Sequence, residues 1–221
     1  MNMWKPKAPA VAGLALLVVL SAGCRLAGPP AEAAPVAPEA PAKTAPAETA
    51  APTLADVAVE KGLLTFRGVP VHPGAVRELL THSADSLPIA VAVDLAGARK
   101  ANRFGTRPTI KDGAVGFKDE LLLGADAFFI YALVGVTPGG AYVLETWESG
   151  GGSGRFGSVL VVRFQADREQ TAGGARERVL MKRVGEFALG DRDDGKVTLE
   201  GNTLRLGKSK YRPADVVVKI D

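Results

Sequence analysis

From residue 62 onward, short apolar runs alternate with turn residues at the spacing of strands rather than helices. Residues 62–71 predict a first strand. Residues 73–82 predict the one helix, because Pro73 suits a first turn and Val76, Leu79 and Leu80 share a face. In residues 89–95 the bulky Ile89, Val91, Val93 and Leu95 alternate with Ala90, Ala92 and Asp94, which is a strand pattern. Asp112-Gly113 is a hairpin signal, and residues 128–136 are apolar on both faces, as in a central strand. Thr137-Pro138-Gly139-Gly140 predicts a type II turn, with residues 141–148 pairing back. Residues 156–165 and 179–189 predict two more strands, the second bulged at Gly185.

Two further runs, Val197–Glu200 and Thr203–Leu206, flank Gly201-Asn202. A two-residue loop pairs Leu199 with Leu204 and Val197 with Leu206 on one face. Thr198 with Arg205 and Glu200 with Thr203 fall on the other. Residues 216–220 predict a final strand, whose Lys219 suits a sheet edge. The total is eight or nine strands and one short helix, too few helices for βαβ units. The predicted fold is mainly β: an antiparallel β-sandwich or open barrel, with the helix capping one end.

The first 54 residues have a different character. Lys5 and Lys7 precede an apolar run over residues 8–20, too short to cross ~30 Å of hydrocarbon with ease. Small residues follow in Leu20-Ser21-Ala22-Gly23-Cys24. Seven of the 30 residues from 25 to 54 are Pro, and most of the others are Ala, Glu or Thr. Such a segment cannot bury a core, and its prolines favour an extended, disordered, semi-rigid tether. The domain organisation expected is a signal segment over 1–23, Cys24 with its tether over 24–54, and one β-rich domain over 55–221.

The segment ending at Cys24 resembles the lipobox of bacterial lipoprotein precursors, although Leu20 stands one position further from the cysteine than the usual pattern has it. The resemblance covers the first 24 residues only. It implies cleavage after Gly23 and a diacylglycerol on the Cys24 thiol, with fatty acyl (palmitate-type) chains holding the protein in a membrane. Two or more acyl chains anchor stably where one does not. The residue after the cysteine is Arg25 rather than Asp, which in the family's sorting rule implies an outer-membrane location facing the periplasm.

Charge and cysteine usage narrow the rest. Residues 55–221 hold 23 Lys+Arg and 21 Asp+Glu, a net charge of +2, so nucleic acid is not an expected partner. Cys24 is the single cysteine of the chain. The domain therefore has no internal disulfide and no Cys-ligated metal, and no cofactor signature is present.

Candidate chemistry is sparse. Gly150-Gly151-Gly152-Ser153-Gly154 resembles neither a nucleophile elbow, which needs Gly where Arg155 stands, nor a phosphate loop ending in Gly-Lys-Ser/Thr. Ser153, His72 and an acid such as Asp94 would form a hydrolase relay only if they converged. His82, the other histidine, lies at the far end of the expected helix. Glu145 falls between Val143 and Trp147 on one strand face, where it would be a candidate catalytic acid if burial raised its pKa. The expectation is instead an arginine partner or a sheet edge. Asp191, Asp193 and Asp194 precede Gly195 and could serve a calcium site or a plain hairpin turn. The basic run over 99–111 could face anionic lipid or cell-wall polymer, or simply solvent. The function expected is that of a lipid-anchored envelope protein with a non-enzymatic interaction, ligand-binding or structural domain. Its partners would be an envelope protein or cell-wall polymer. The alternatives are an envelope hydrolase using Ser153 and His72, and a calcium-stabilised envelope domain.

Overall fold

The computed structural model describes residues 50–81, 87–100, 104, 107–118 and 127–221. Among them, 13 strands form three antiparallel sheets. The central sheet has seven: β4 (Ala92–Asp94), β5 (Thr109–Lys111), β6 (Ala114–Lys118), β7 (Ala127–Val136), β8 (Tyr142–Gly150), β9 (Phe156–Thr171) and β10 (Gly174–Asp191). Their order is β4-β10-β9-β8-β7-β6-β5. Strands β1 (Val57–Glu60), β2 (Leu63–Phe66) and β3 (Val69–Pro70) form a small N-terminal sheet. Strands β11 (Val197–Glu200), β12 (Thr203–Leu206) and β13 (Val216–Lys219) form a C-terminal one. Two short helices, α1 (Pro73–Arg77) and α2 (Leu95–Lys100), complete the set. No helix among the described residues is long and apolar enough to cross a membrane.

The strand period of two explains how these pieces assemble. In β9, Leu160 and Val162 point one way and Val159 and Val161 the other, and all four are buried. The first pair joins Leu144, Phe129, Tyr131 and Met181 in a core covered by Leu64, Phe66, Val71, Val76 and Leu79. The second joins Ala141, Val143 and Leu189 in a core covered by Leu204, Leu206 and Ile220. The central sheet is thus the middle of three layers. Its edges, β4 and β5, are not paired with each other, so among the described residues the sheet is open rather than a closed barrel.

Tyr131 ties the N-terminal layer to the sheet. Its buried hydroxyl donates to the Val71 carbonyl at 2.7 Å, and burial holds the phenol above its ordinary pKa. Tyr131→Phe removes that donor while preserving the ring. The expected cost is about 1–2 kcal/mol, read as a lower urea midpoint with an unchanged slope.

Several expectations change. The predicted strand over 62–71 is two strands, because Arg67 and Gly68 take φ of 54° and 68° and turn the chain. Lys61 and Gly62, at 52° and 78°, do the same between β1 and β2. Paired positive φ matches the twist of a two-residue hairpin, which here overrides the poor fit of Lys and Arg to that region.

The predicted helix over 73–82 is α-helical only to Arg77. The Leu79 and Leu80 amides then bond three residues back, to the Val76 and Arg77 carbonyls, tightening the last turn. The predicted strand over 89–95 shrinks to β4, and Ile89 and Val91 are exposed. Asp94 ends it: its Oδ1 accepts from the Ala96 and Gly97 amides, both at 3.1 Å, and caps α2. The predicted loop of basic residues therefore opens as helix and closes as β5.

At the β7–β8 connection the positive φ belongs to Gly140 (76°), not Gly139. The Gly140 amide bonds the Thr137 carbonyl at 2.9 Å and the Thr137 amide bonds Ala141 at 2.8 Å. This is a tight turn closed by a left-handed glycine rather than type II. Strands β9 and β10 run past the predicted ends into a ribbon of cross-strand ion pairs: Arg168–Glu177 at 3.3 Å, Arg178–Asp167 at 2.5 Å and Arg176–Glu169 at 2.7 Å. Gly185 does sit at a bulge, with Val184 as the extra residue. The β11–β12 register is the predicted one at all four pairs.

Candidate functional site

Glu145 lies on β8, the fourth of seven strands, so it is not at a sheet edge. Val143 and Trp147 flank it along the strand, and Ala132 and Val159 oppose it on β7 and β9. None of these carries a positive charge. The charged group nearest in effect is Asp193, in the turn between β10 and β11. Burial first, and the Asp193 charge second, push the Glu145 carboxyl up to about 7.

This has a consequence for stability. The folded chain holds the Glu145 proton to about pH 7, while the unfolded chain releases it near the ordinary 4.5. The folded state therefore binds more protons between those values, and stability falls as pH rises from about 4.5 to about 7. The group is half-buried, so solvent screening reduces the loss to about 1–2 kcal/mol. Urea midpoints at pH 5 and pH 8 should differ by more in the native chain than in Glu145→Gln.

Asp193 is itself almost wholly enclosed. Its Oδ1 accepts from the Gly195 amide at 2.6 Å, and its Oδ2 accepts from Ser209 Oγ at 3.0 Å and pairs with Arg212 at 3.2 Å. Asp191 accepts from the Arg155 amide at 2.7 Å, and Asp194 from the Lys210 amide at 3.3 Å. The three carboxylates proposed for calcium are thus each turned toward a different protein donor. Among the described residues, no group of three or more His, Cys, Asp or Glu side chains is placed to hold a metal ion. Asp193 to Gly195 instead make the side-chain-to-amide turn that Asp-x-Gly sequences favour.

Ser153, His72 and Asp94 are held by three separate sets of neighbours. Ser153 is exposed, and its carbonyl accepts from the Arg192 guanidinium. Ser149 Oγ donates to the Gly152 carbonyl at 3.4 Å, so the glycine loop is strapped to itself and to β10. His72 caps α1: its Nδ1 accepts from the Gly74 amide at 3.0 Å, and its ring stacks on Phe104 at 4.9 Å. The Asp94 carboxylate caps α2 and pairs with Arg176 at 2.8 Å. His82 and most of the 101–106 stretch of the basic run lie outside the described residues.

Residue-level reading of the chain missed Arg212 and Ser209, which complete the Asp193 cluster. It also missed Glu186, whose Oε2 accepts from the Thr81 amide at 3.0 Å and hydroxyl at 2.9 Å and pairs with Arg183. Arg77–Glu148, at 3.1 Å, ties α1 to β8 in the same way. No local pattern marks these partners, because apart from the Arg183–Glu186 pair the contacts join segments well separated in sequence. No family model, curated protein or solved structure matches this chain.

Proposed function

We propose that this chain is a bacterial envelope lipoprotein, cut before Cys24, lipidated there, and carrying a non-enzymatic interaction domain on a proline-rich tether. The observation that carries the reading is the position of Cys24. The single cysteine of the chain stands between a short apolar segment and a Pro- and Ala-rich run with few large apolar residues. A lipid on that thiol gives the segment before it and the segment after it one purpose. The non-enzymatic reading is supported by the separate engagements of Ser153, His72 and Asp94 described above. Both faces of the central sheet are covered by the chain's own layers, which leaves loops, edges and the β9–β10 ribbon for a partner in the envelope, a protein or a cell-wall polymer.

The test is metabolic labelling with a fatty-acid probe in a bacterial host. The native chain should incorporate the probe and migrate as a shortened mature form. Cys24→Ser should abolish the label and leave the precursor uncut. Undiminished labelling of the variant would overturn the assignment. In-cell crosslinking of the lipidated chain then identifies what the domain touches.

A further inference from the structure

We propose that the outer edge of β13 is a homodimer seam, where a second copy of this chain adds its own β13 antiparallel about a two-fold axis through Val217. Strand β13 is the last of the C-terminal sheet and pairs only with β12 among the described residues. Neighbouring residues of an antiparallel strand turn their backbone groups to opposite sides. The Ile220 amide bonds the Asn202 carbonyl at 2.9 Å, so the even-numbered residues of this stretch face β12. Val217 and Lys219, with Asp215 just before the strand, therefore turn their amides and carbonyls outward, to an edge with no neighbour among the described residues. Val216 and Val217 are 42% and 53% exposed there, and an apolar open edge is a template for another strand.

Charge selects the second copy and its register. A two-fold sets one residue opposite its own copy, so the choices near the middle of the edge are Val216, Val217 and Val218. Centring on Val218 puts Asp215 against Asp221, two acids. Centring on Val216 puts Lys219 against Pro213, which has no amide to donate. Centring on Val217 puts Asp215 of each copy against Lys219 of the other, two opposite-charge pairs. The same register sets Val216 against Val218 on the face shared with Leu204 and Leu206. A lysine at a sheet edge ordinarily deters pairing, but here the symmetry supplies each lysine with an acid. Both groups have capacity left. Lys219 Nζ donates to Thr203 Oγ1 at 2.6 Å and carries two further protons. The Asp215 side chain is 45% exposed, and beyond the Lys208 amide at 2.9 Å and Arg205 at 3.3 Å its oxygens keep free lone pairs. Two three-stranded sheets thereby become one of twice the width.

Cysteine crosslinking of the full-length chain in a bacterial host tests the seam. Residues directly opposite in a hydrogen-bonded antiparallel pair have Cα atoms about 5.5 Å apart, within reach of a disulfide. Val217→Cys should therefore give a crosslinked dimer on mild oxidation. Val216→Cys, on the other face and one residue off the axis, should give about tenfold less, because its Cβ vectors do not meet. Cys24 is common to both variants and to the native chain, so a band formed through it appears in all three. Equal crosslinking at the two positions, or none at Val217→Cys, would sink the proposal. Should a cysteine variant fail to fold, sedimentation of the full-length chain in detergent decides. The native chain should show a monomer and a dimer. Lys219→Glu should weaken the dimer about tenfold, since both cross-strand charge pairs become repulsive. A native chain that is monomeric at every concentration, or a Lys219→Glu chain as dimeric as the native one, overturns the seam.

Discussion

Asp193→Ala should lower the unfolding free energy by about 3 kcal/mol, measured by urea denaturation at pH 7. The substitution leaves Arg212 without its carboxylate and the Gly195 amide and Ser209 hydroxyl without their acceptor. Arg212 is itself largely enclosed. Removing one member of a buried, hydrogen-bonded ion pair costs about 3–5 kcal/mol, because the desolvation of the other is left uncompensated. Two circumstances place this case at the low end. Arg212 keeps its two bonds to the Gly207 carbonyl, and the repulsion on Glu145 disappears. The second circumstance makes a separate check possible. The Glu145 carboxyl should titrate lower in Asp193→Ala than in the native chain, but above 4.5, because burial is the larger cause of its shift. An unchanged titration would mean that Asp193 does not act on Glu145.

Leu160→Ala should cost about 3–4 kcal/mol. Leu160 has no exposed surface and lies on β9, between the Leu144 and Glu186 positions of its two neighbours. Truncating it leaves a cavity walled by paired strands, which collapse poorly, so the cost sits toward the upper part of the range for Leu→Ala. The layered core adds a sharper expectation. Leu204 is equally buried but belongs to the other core, across the sheet. Leu160→Ala and Leu204→Ala should therefore add to within about 0.5 kcal/mol, whereas Leu160→Ala with Leu144→Ala should not, since those two are cross-strand neighbours in one core. Additivity in both pairs would contradict the division into two cores.

Much of the sheet was legible along the chain, and the reason differs from element to element. The β11–β12 hairpin could be read residue by residue because alternation and a Gly-Asn turn both act locally. Residues 128–136 read as apolar on both faces, but burial on both faces at Val143 and Leu144 of β8 and at Val159 to Val162 of β9 is what makes the fold three-layered. The short α2 was hidden, because Ile89 to Leu95 alternates like a strand and a single cap at Asp94 redirects it. Glu145 could be picked out as a carboxylate among apolar neighbours. Its relation to Asp193 could not, because that depends on how the β10–β11 turn lies over the sheet. Arg212 and Ser209 come from a segment with no periodicity, so nothing in the chain pointed to them.

The two-faced central sheet also dictates an order of events during folding. Strands β5 to β10 are joined as successive hairpins, apart from residues outside the described set, so they can pair through short loops. The N-terminal and C-terminal layers share the short turns, at residues 61–62, 67–68 and 201–202, but not the long strands. Each is made of short strands that gain most of their buried surface only when the sheet beneath already exists. The middle of the chain is therefore expected to organise first, with the two ends closing over it like covers on a book. Until the second cover arrives, Val143, Val159, Val161 and Leu189 form a bare apolar strip, and the chain is at that moment most prone to self-association.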